Sequence, residues 1–325
     1  MTARRALISG ITGQDGSYLA EYLIDREYEV HGAMRSTTVD LTKSRIAPIV
    51  ESGQVALHIT DVTDGHSLTR LIERVAPQEV YNLAAQSHVA ASFDQPAHTG
   101  IVTGIGTVNL LESIRQVDPS ILFYQAGSSE MFGSTPAPQN EDSPFHPRSP
   151  YAVAKVYAYW ATINYREAYG MHACNGILFN HESPRRGRNF VTRKITSAIP
   201  RLLKGEQHEL RLGNLDAQRD WGHARDFVEA MHLILSHSTA DDFVVGTGVS
   251  RSIRDFLDAA FALVDLDWHK YVVPDPDLLR PAEADHLRAD TSKASRLLGW
   301  KPSVTFDGLV REMVEFDLGE HGLYL

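Results

Sequence analysis

Apolar residues recur along the first half of the chain with two alternating periods. Short β-rich runs predict strands: "RALISG" (5–10), "EVHGAMR" (29–35), "VALHIT" (55–60), "EVYNLAA" (79–85), "ILFYQAG" (121–127) and "CNGILFN" (174–180). Between them, "SYLAEYLIDREY" (17–28) and "TVNLLESIRQV" (107–117) carry apolar residues at helical spacing. Strands alternating with helices imply right-handed crossovers and a doubly wound parallel sheet covered on both faces. Such a sheet binds ligands at the carboxyl ends of its strands.

The texture changes after residue 180. "NHESPRRGRNFVTRK" is polar and basic, "ELRLGNLDAQRDWGHARDFVEAM" mixes strand and helix, and "PDPDLLRPAEADHL" is rich in proline and acid. These segments predict a smaller, interleaved C-terminal α/β lobe over 181–325, mainly for substrate. The dinucleotide domain occupies 1–180, with a late strand returning to its sheet near 242–248 ("DDFVVGTG").

The turn after the first strand reads "GITGQDG". Gly10, Gly13 and Gly16 stand between a strand and a helix, where the backbone must approach a pyrophosphate and the helix offers free N–H groups. This is a Rossmann fingerprint, and it makes Gly10, Thr12, Gly13, Gln14, Asp15 and Gly16 cofactor residues. The second strand ends "AMRSTT", with Arg35 where NAD sites usually place an acid, which favours NADP. Asp61, with Val62, is placed to accept from the adenine amine. "NLAAQS" puts Leu83, Ala84, Ala85 and Ser87 along the ribose and nicotinamide side.

Tyr151 and Lys155 lie four apart in "YAVAK" and share a helix face. A free phenol, with a pKa near 10, is a poor base at neutral pH. A neighbouring ammonium, together with an oxidised nicotinamide, would lower that value. Ser128 and Glu130 close the preceding strand in "YQAGSSEMFG", and two residues apart on a strand means one face.

The chain of 325 residues carries a formal charge of −10, which argues against a nucleic-acid surface. The single cysteine, Cys174, rules out an internal disulfide and suits a cytoplasmic setting. No apolar run reaches the roughly 18 residues of a membrane span. The start "MTARRALISG" resembles a signal peptide only until Ser9 and Gly10 break its apolar stretch. The 15 histidines show no paired spacing of the zinc type, so no metal is expected.

"QDGSYLAE", "RSPYAVAK", "GILFNHESPRRG", "FVTRKI" and "RDWGHARDF", with "LLGWKP" near the end, carry a resemblance over nearly the whole chain. The sequence resembles the GDP-mannose 4,6-dehydratases, a family of the extended short-chain dehydrogenase/reductase superfamily. The resemblance implies removal of water from GDP-D-mannose through a bound, recycled NADP. Tyr151 would deprotonate the C4 hydroxyl, Ser128 would steady the C4 oxygen, and Glu130 would remove the C5 proton and assist loss of water from C6. It assigns His181 and Arg186 to the cofactor, alongside Tyr151 and Lys155. It assigns Ser87, Ser128, Glu130, Asn180, Val191, Lys194, Arg219, Arg280 and Glu283 to the sugar nucleotide. Glu283, one helical turn beyond Arg280, would accept from the guanine N–H groups. The remaining arginines of "SPRRGRNFVTRK" read as solvated.

Three departures stand out: Ser128 where the family commonly has threonine, a single arginine after the second strand, and His146 in place of an aromatic residue. Alternatives are the same chemistry on another GDP-sugar such as a GDP-manno-heptose, a non-catalytic NADP-binding protein, or a nucleotide-sugar epimerase. An epimerase has no use for Glu130. The resemblance also implies a homodimer or homotetramer, with the loop after Arg35 reaching a neighbour's cofactor.

Overall fold

The computed structural model describes residues 3–35 and 40–325. Ser36–Val39 lie outside the described residues, and with them the loop expected to reach a neighbouring copy.

Among the described residues twelve strands follow in chain order. They are β1 (Arg5–Ser9), β2 (Glu29–Met34), β3 (Val55–Ile59), β4 (Glu79–Asn82), β5 (Leu122–Ala126), β6 (Ala173–Leu178), β7 (Asn180–Glu182), β8 (Leu210–Leu212), β9 (Gln218–His223), β10 (Asp242–Val245), β11 (Ser250–Ser252) and β12 (Val272–Pro274). Seven form one parallel sheet in the order β10-β6-β5-β4-β1-β2-β3. The order reverses beside β1, so the β1 and β4 carboxyl ends open a crevice for a ligand.

Helices cover both faces because each carries an apolar stripe. On one side Tyr18, Leu19 and Leu23 of the helix Gln14–Ile24 pack with Phe227, Met231 and Ile234 of Ala224–Ser236. On the other, Leu68, Leu71 and Ile72 meet Leu110, Leu111 and Ile114 against β1, β4 and β5. The first helix begins at Gln14, earlier than its apolar spacing suggests. It stops at Ile24, just before Glu27 turns with φ 62°.

The second lobe holds its own core, in which Ile195, Leu210, Trp221, Phe256, Phe261 and Met313 pack together. Its sheets are small: β11-β9-β7 and β12-β8. The two lobes interleave. β10 pairs in parallel with β6 at the edge of the main sheet, and Ala294 and Trp300 join the first lobe's core.

Candidate active site

A cleft of about 890 Å³ runs between the lobes along the carboxyl ends of the parallel strands. Its floor is the turn after β1. Gly10 has φ +73°, and a Cβ on Gly16 would stand 2.5 Å from the Gly10 carbonyl oxygen. Only glycine permits this close return of the chain. The helix Gln14–Ile24 starts in the cleft, capped by Gly13 with no side chain over its N–H groups. Exposed N–H donors on a glycine-rich turn fit a dinucleotide pyrophosphate.

The turn is stitched to the far lobe. Gln14 Nε2 donates to the His181 carbonyl at 3.1 Å, and Ser183 Oγ donates to Gln14 Oε1 at 2.8 Å. His181 Nδ1 donates to the Phe179 carbonyl at 2.7 Å, while Nε2 faces Asp15 Oδ2 at 3.0 Å. Both partners are acceptors, so the ring serves them together only as an imidazolium. Burial works against that charge, but the Asp15 carboxylate prevails and raises the pKa of His181. For Asp15, burial is the largest effect and an upward one. His181, Gln14 and Arg186 together hold the carboxyl at about 2.

The chemistry-bearing side chains meet at the end of β5. Tyr151 and Lys155 lie on the helix Pro150–Tyr169, which Ser149 caps by accepting from Ala152 N–H at 3.1 Å. Both are buried, and Lys155 Nζ donates to the Ala126 carbonyl at 2.6 Å. Burial pushes Lys155 down to about 8. Burial likewise pushes Tyr151 up to about 12, with the charge of Glu130 adding to the rise and the Ser128 hydroxyl opposing it. The phenol is therefore not lowered as the neighbouring ammonium led one to expect: burial dominates, and Lys155 Nζ, bonded to the Ala126 carbonyl, stands 5.9 Å from the centre of the Tyr151 ring.

Ser128 and Glu130 are not on a strand. β5 ends at Ala126, and Ser129–Met131 forms one turn of 3-10 helix with Ser128 as its cap. The Glu130 N–H donates to Ser128 Oγ at 3.3 Å, so a tight turn, rather than strand alternation, brings hydroxyl and carboxylate together. Glu130 is 8% exposed, and its Oε1 lies 3.9 Å from Arg219 Nε and 3.8 Å from Arg280 Nη1.

The cleft wall contains Gly10, Thr12, Gly13, Gln14, Asp15, Gly16, Arg35, Val62, Leu83, Ala84, Ala85 and Ser87 from the first lobe's strand ends. It contains Asn180, His181, Arg186, Val191, Lys194, Arg219, Arg280 and Glu283 from the second. Asp61 is the exception. It is not part of the wall, and its Oδ1 accepts from the Thr63 N–H and hydroxyl at 2.9 and 2.8 Å. Arg280 and Glu283 sit in an irregular segment after the short turn Pro276–Leu278, not on a helix. Arg193, read as solvated, is buried and pairs with Asp317 at 2.7 Å.

Arg45, His88, Asn189, Phe190 and Asn214 line the cleft without having stood out in the sequence. Arg45 Nη1 donates to the Thr12 carbonyl at 3.3 Å, which places a second cation over the glycine turn. Asn214 Nδ2 donates to Glu283 Oε2 at 3.4 Å, and its only sequence signal is the preceding Gly213 of a polar turn. Two polar groups fit a ligand. Lys194 has no carboxylate partner, and the buried Asn180 Oδ1 meets no donor, among the described residues. Among these residues no cluster of His, Cys, Asp or Glu could hold a metal ion, and no helix is long and apolar enough to cross a membrane.

Comparison with known proteins places this geometry. The structure overlays that of a Thermus thermophilus UDP-glucose 4-epimerase solved with NAD, at a TM-score of 0.84 and 27% identity over 97% of this chain and 99% of that one. It overlays the RMD protein of Pseudomonas aeruginosa, solved with NADPH, at 0.80 and 25% identity over 97% and 99%. In sequence the chain is 54% identical to GDP-mannose 4,6 dehydratase 2 of Arabidopsis thaliana, over 96% of this chain and 86% of the relative. A family model described as GDP-mannose 4,6 dehydratase matches residues 7–313, which takes in the glycine turn, the Ser128–Glu130 turn, the Tyr151 helix and the arginine-bearing lobe. With both lobes and every chemistry-bearing segment inside that match, the chain belongs to the GDP-mannose 4,6-dehydratase family.

Proposed function

We propose that this enzyme dehydrates GDP-D-mannose to GDP-4-dehydro-6-deoxy-D-mannose, a hydro-lyase reaction, with NADP as its cofactor. The observation that carries the reading is the meeting of Ser128, Glu130, Tyr151 and Lys155 in the cleft that also holds Arg219 and Arg280. A reductase or epimerase needs the hydroxyl, phenol and ammonium. The carboxylate is the addition that elimination requires.

Tyr151 takes the proton of the C4 hydroxyl, and Ser128 donates to the C4 oxygen. When bound, the nicotinamide supplies the acceptor, and later the donor, of the hydride that leaves C4 and returns to C6. The C4 ketone acidifies the C5 hydrogen, which Glu130 removes. Water then leaves C6 with the proton carried by Glu130 as general acid, and as hydride reaches C6 the proton that Tyr151 took from the C4 hydroxyl, exchanged with solvent, is delivered to C5. Ser87 and Val191 flank the sugar. Asn180, Lys194, Arg219, Arg280 and Glu283 hold the nucleotide end, the guanidiniums gripping phosphate oxygens in pairs.

The glycine turn, Leu83–Ala85, Val62, His181 and Arg186 hold the dinucleotide. Arg35 at the end of β2, seconded by Arg45 over the turn, supports NADP over NAD. Assembly as a homodimer or homotetramer is supported by an apolar face. Val153, Tyr157 and Trp160 are about half exposed along one side of the Pro150–Tyr169 helix, beside the exposed Ile101 and Ile105. A cytoplasmic location is supported by the one cysteine, Cys174, a fully buried thiol.

The test is incubation with GDP-mannose and catalytic NADP, followed by mass spectrometry. Loss of one water with no net change in cofactor supports the reading. Recovery of unchanged GDP-mannose, or of an isomer of equal mass, would sink it.

A further inference from the structure

Four charged side chains close a square over the substrate end of the cleft. Glu283 Oε1 lies 3.2 Å from Arg219 Nη2 and 3.5 Å from Arg280 Nη1. Glu130 Oε1 lies 3.9 Å from Arg219 Nε and 3.8 Å from Arg280 Nη1. Two cations thus serve two carboxylates, one of them the general base, and formal charge within the square cancels.

The bonding is uneven. Good charge-assisted hydrogen bonds run at about 2.7–2.9 Å, so neither contact to Glu130 is one. Arg280 Nη1, though buried, has no hydrogen-bonded partner among the described residues. The guanidiniums attract Glu130 electrostatically without being locked to it. A diphosphate entering the cleft offers the paired oxygens to which guanidinium geometry is matched, and it competes with Glu130 for the same two groups.

Resting on the reading of Glu130 as base and of the arginines as diphosphate ligands, we infer that Arg219 and Arg280 are shared cations. Without a diphosphate they neutralise Glu130. The substrate diphosphate draws them away and leaves the carboxylate without its cations, as a base. The phosphoryl end of the substrate therefore controls the group that acts at C5, and a sugar lacking the diphosphate meets a neutralised Glu130. The device selects for diphosphate-linked sugars at the chemical step as well as in binding.

Coupling of this kind is reciprocal. If the base and the diphosphate compete for the same guanidiniums, removing the charge of Glu130 tightens the binding of a diphosphate that never reacts. The experiment is calorimetric titration of GDP onto the NADP-loaded protein, its Glu130→Gln and Glu130→Ala variants, Arg280→Gln, and the double variant Glu130→Gln/Arg280→Gln. Both single Glu130 variants are expected to bind GDP about fivefold or more tightly, the lower range of ordinary site coupling. In the Arg280→Gln background that gain should shrink by at least half. Unchanged affinity in the Glu130 variants overturns the sharing. So does a gain of equal size with and without Arg280, which would be plain repulsion between two anions. Failure of every chain to bind GDP would overturn the substrate reading itself, and the sharing with it.

Discussion

Lys155 donates its ammonium to the main-chain carbonyl of Ala126, the last residue of β5, at 2.6 Å. The contact fixes the Pro150–Tyr169 helix against the strand end from which Ser128 and Glu130 turn into the cleft. It also holds a cation in a place that disfavours it, since burial lowers Lys155 to about 8 from 10.5.

That lowering makes a pH prediction with a definite sign. Below about pH 8 the amine is charged in folded and unfolded chains alike, so the burial cost is present in full. Between 8 and 10.5 the folded protein has shed its proton while the unfolded chain keeps it, and stability rises with pH. Lys155→Met removes the dependence. Thermal melts should show the native protein gaining on the variant across that window, by an amount on the order of 3 kcal/mol. A constant difference in Tm would show that Lys155 does not titrate there.

Tyr151→Phe keeps the ring and removes the phenol. C4 oxidation, followed in single turnover by reduced-cofactor absorbance, should fall by about a hundredfold or more. GDP affinity should hardly move, because the arginines and Lys194 carry it. Normal turnover would mean that another group is the base.

Glu130→Gln should separate the two halves of the reaction. Reduced cofactor should still form in one turnover, while 4-dehydro-6-deoxy product nearly ceases. In heavy water the native enzyme should place deuterium at C5, whereas the variant should not. Product formed at a near-native rate would make Glu130 a structural carboxylate, held in place by Arg219 and Arg280.

Arg35→Ala should erase most of the preference for NADP over NAD, read by fluorescence titration of both reduced cofactors. Arg45→Ala should weaken both, since its guanidinium anchors the glycine turn through Thr12. Equal affinity of the native protein for the two cofactors would remove the assignment.

Trp160→Glu places a charge on the exposed apolar face shared by Val153 and Tyr157. Light scattering should show a smaller assembly with catalysis per folded site retained. An unchanged mass would move the contact to another face.

Much of this was legible in the chain because period and turn chemistry are local. β1 to β5 fall within the predicted runs and β6 begins one residue ahead of its run, while Gly10, Gly13 and Gly16 stand where a tight strand-to-helix turn demands them. What escaped depended on tertiary setting. The residue pattern around Ser128 is compatible with a continuing strand; its capping bond to Glu130 decides for a turn. Arg193 and Arg219 look alike in sequence, yet one is spent on Asp317 and the other faces the cleft. Arg45 comes from a stretch with no periodic signal and gains its place only through contact with Thr12. Asp61 shows the reverse: an acid at the expected strand end whose Oδ1 is engaged by its own neighbour Thr63.

The late return of β10 governs how the molecule can be made. A ribosome delivers β1 to β6 well before β10, and the helix Ala224–Ser236 that packs beside Gln14–Ile24 also comes later. During that interval the β6 backbone is an open edge able to pair with another nascent chain. A fragment ending at residue 180 would keep that edge permanently and aggregate. The dinucleotide half is therefore not a separable module: a gene cut at the apparent boundary would encode a first piece whose β6 edge has lost its native partner.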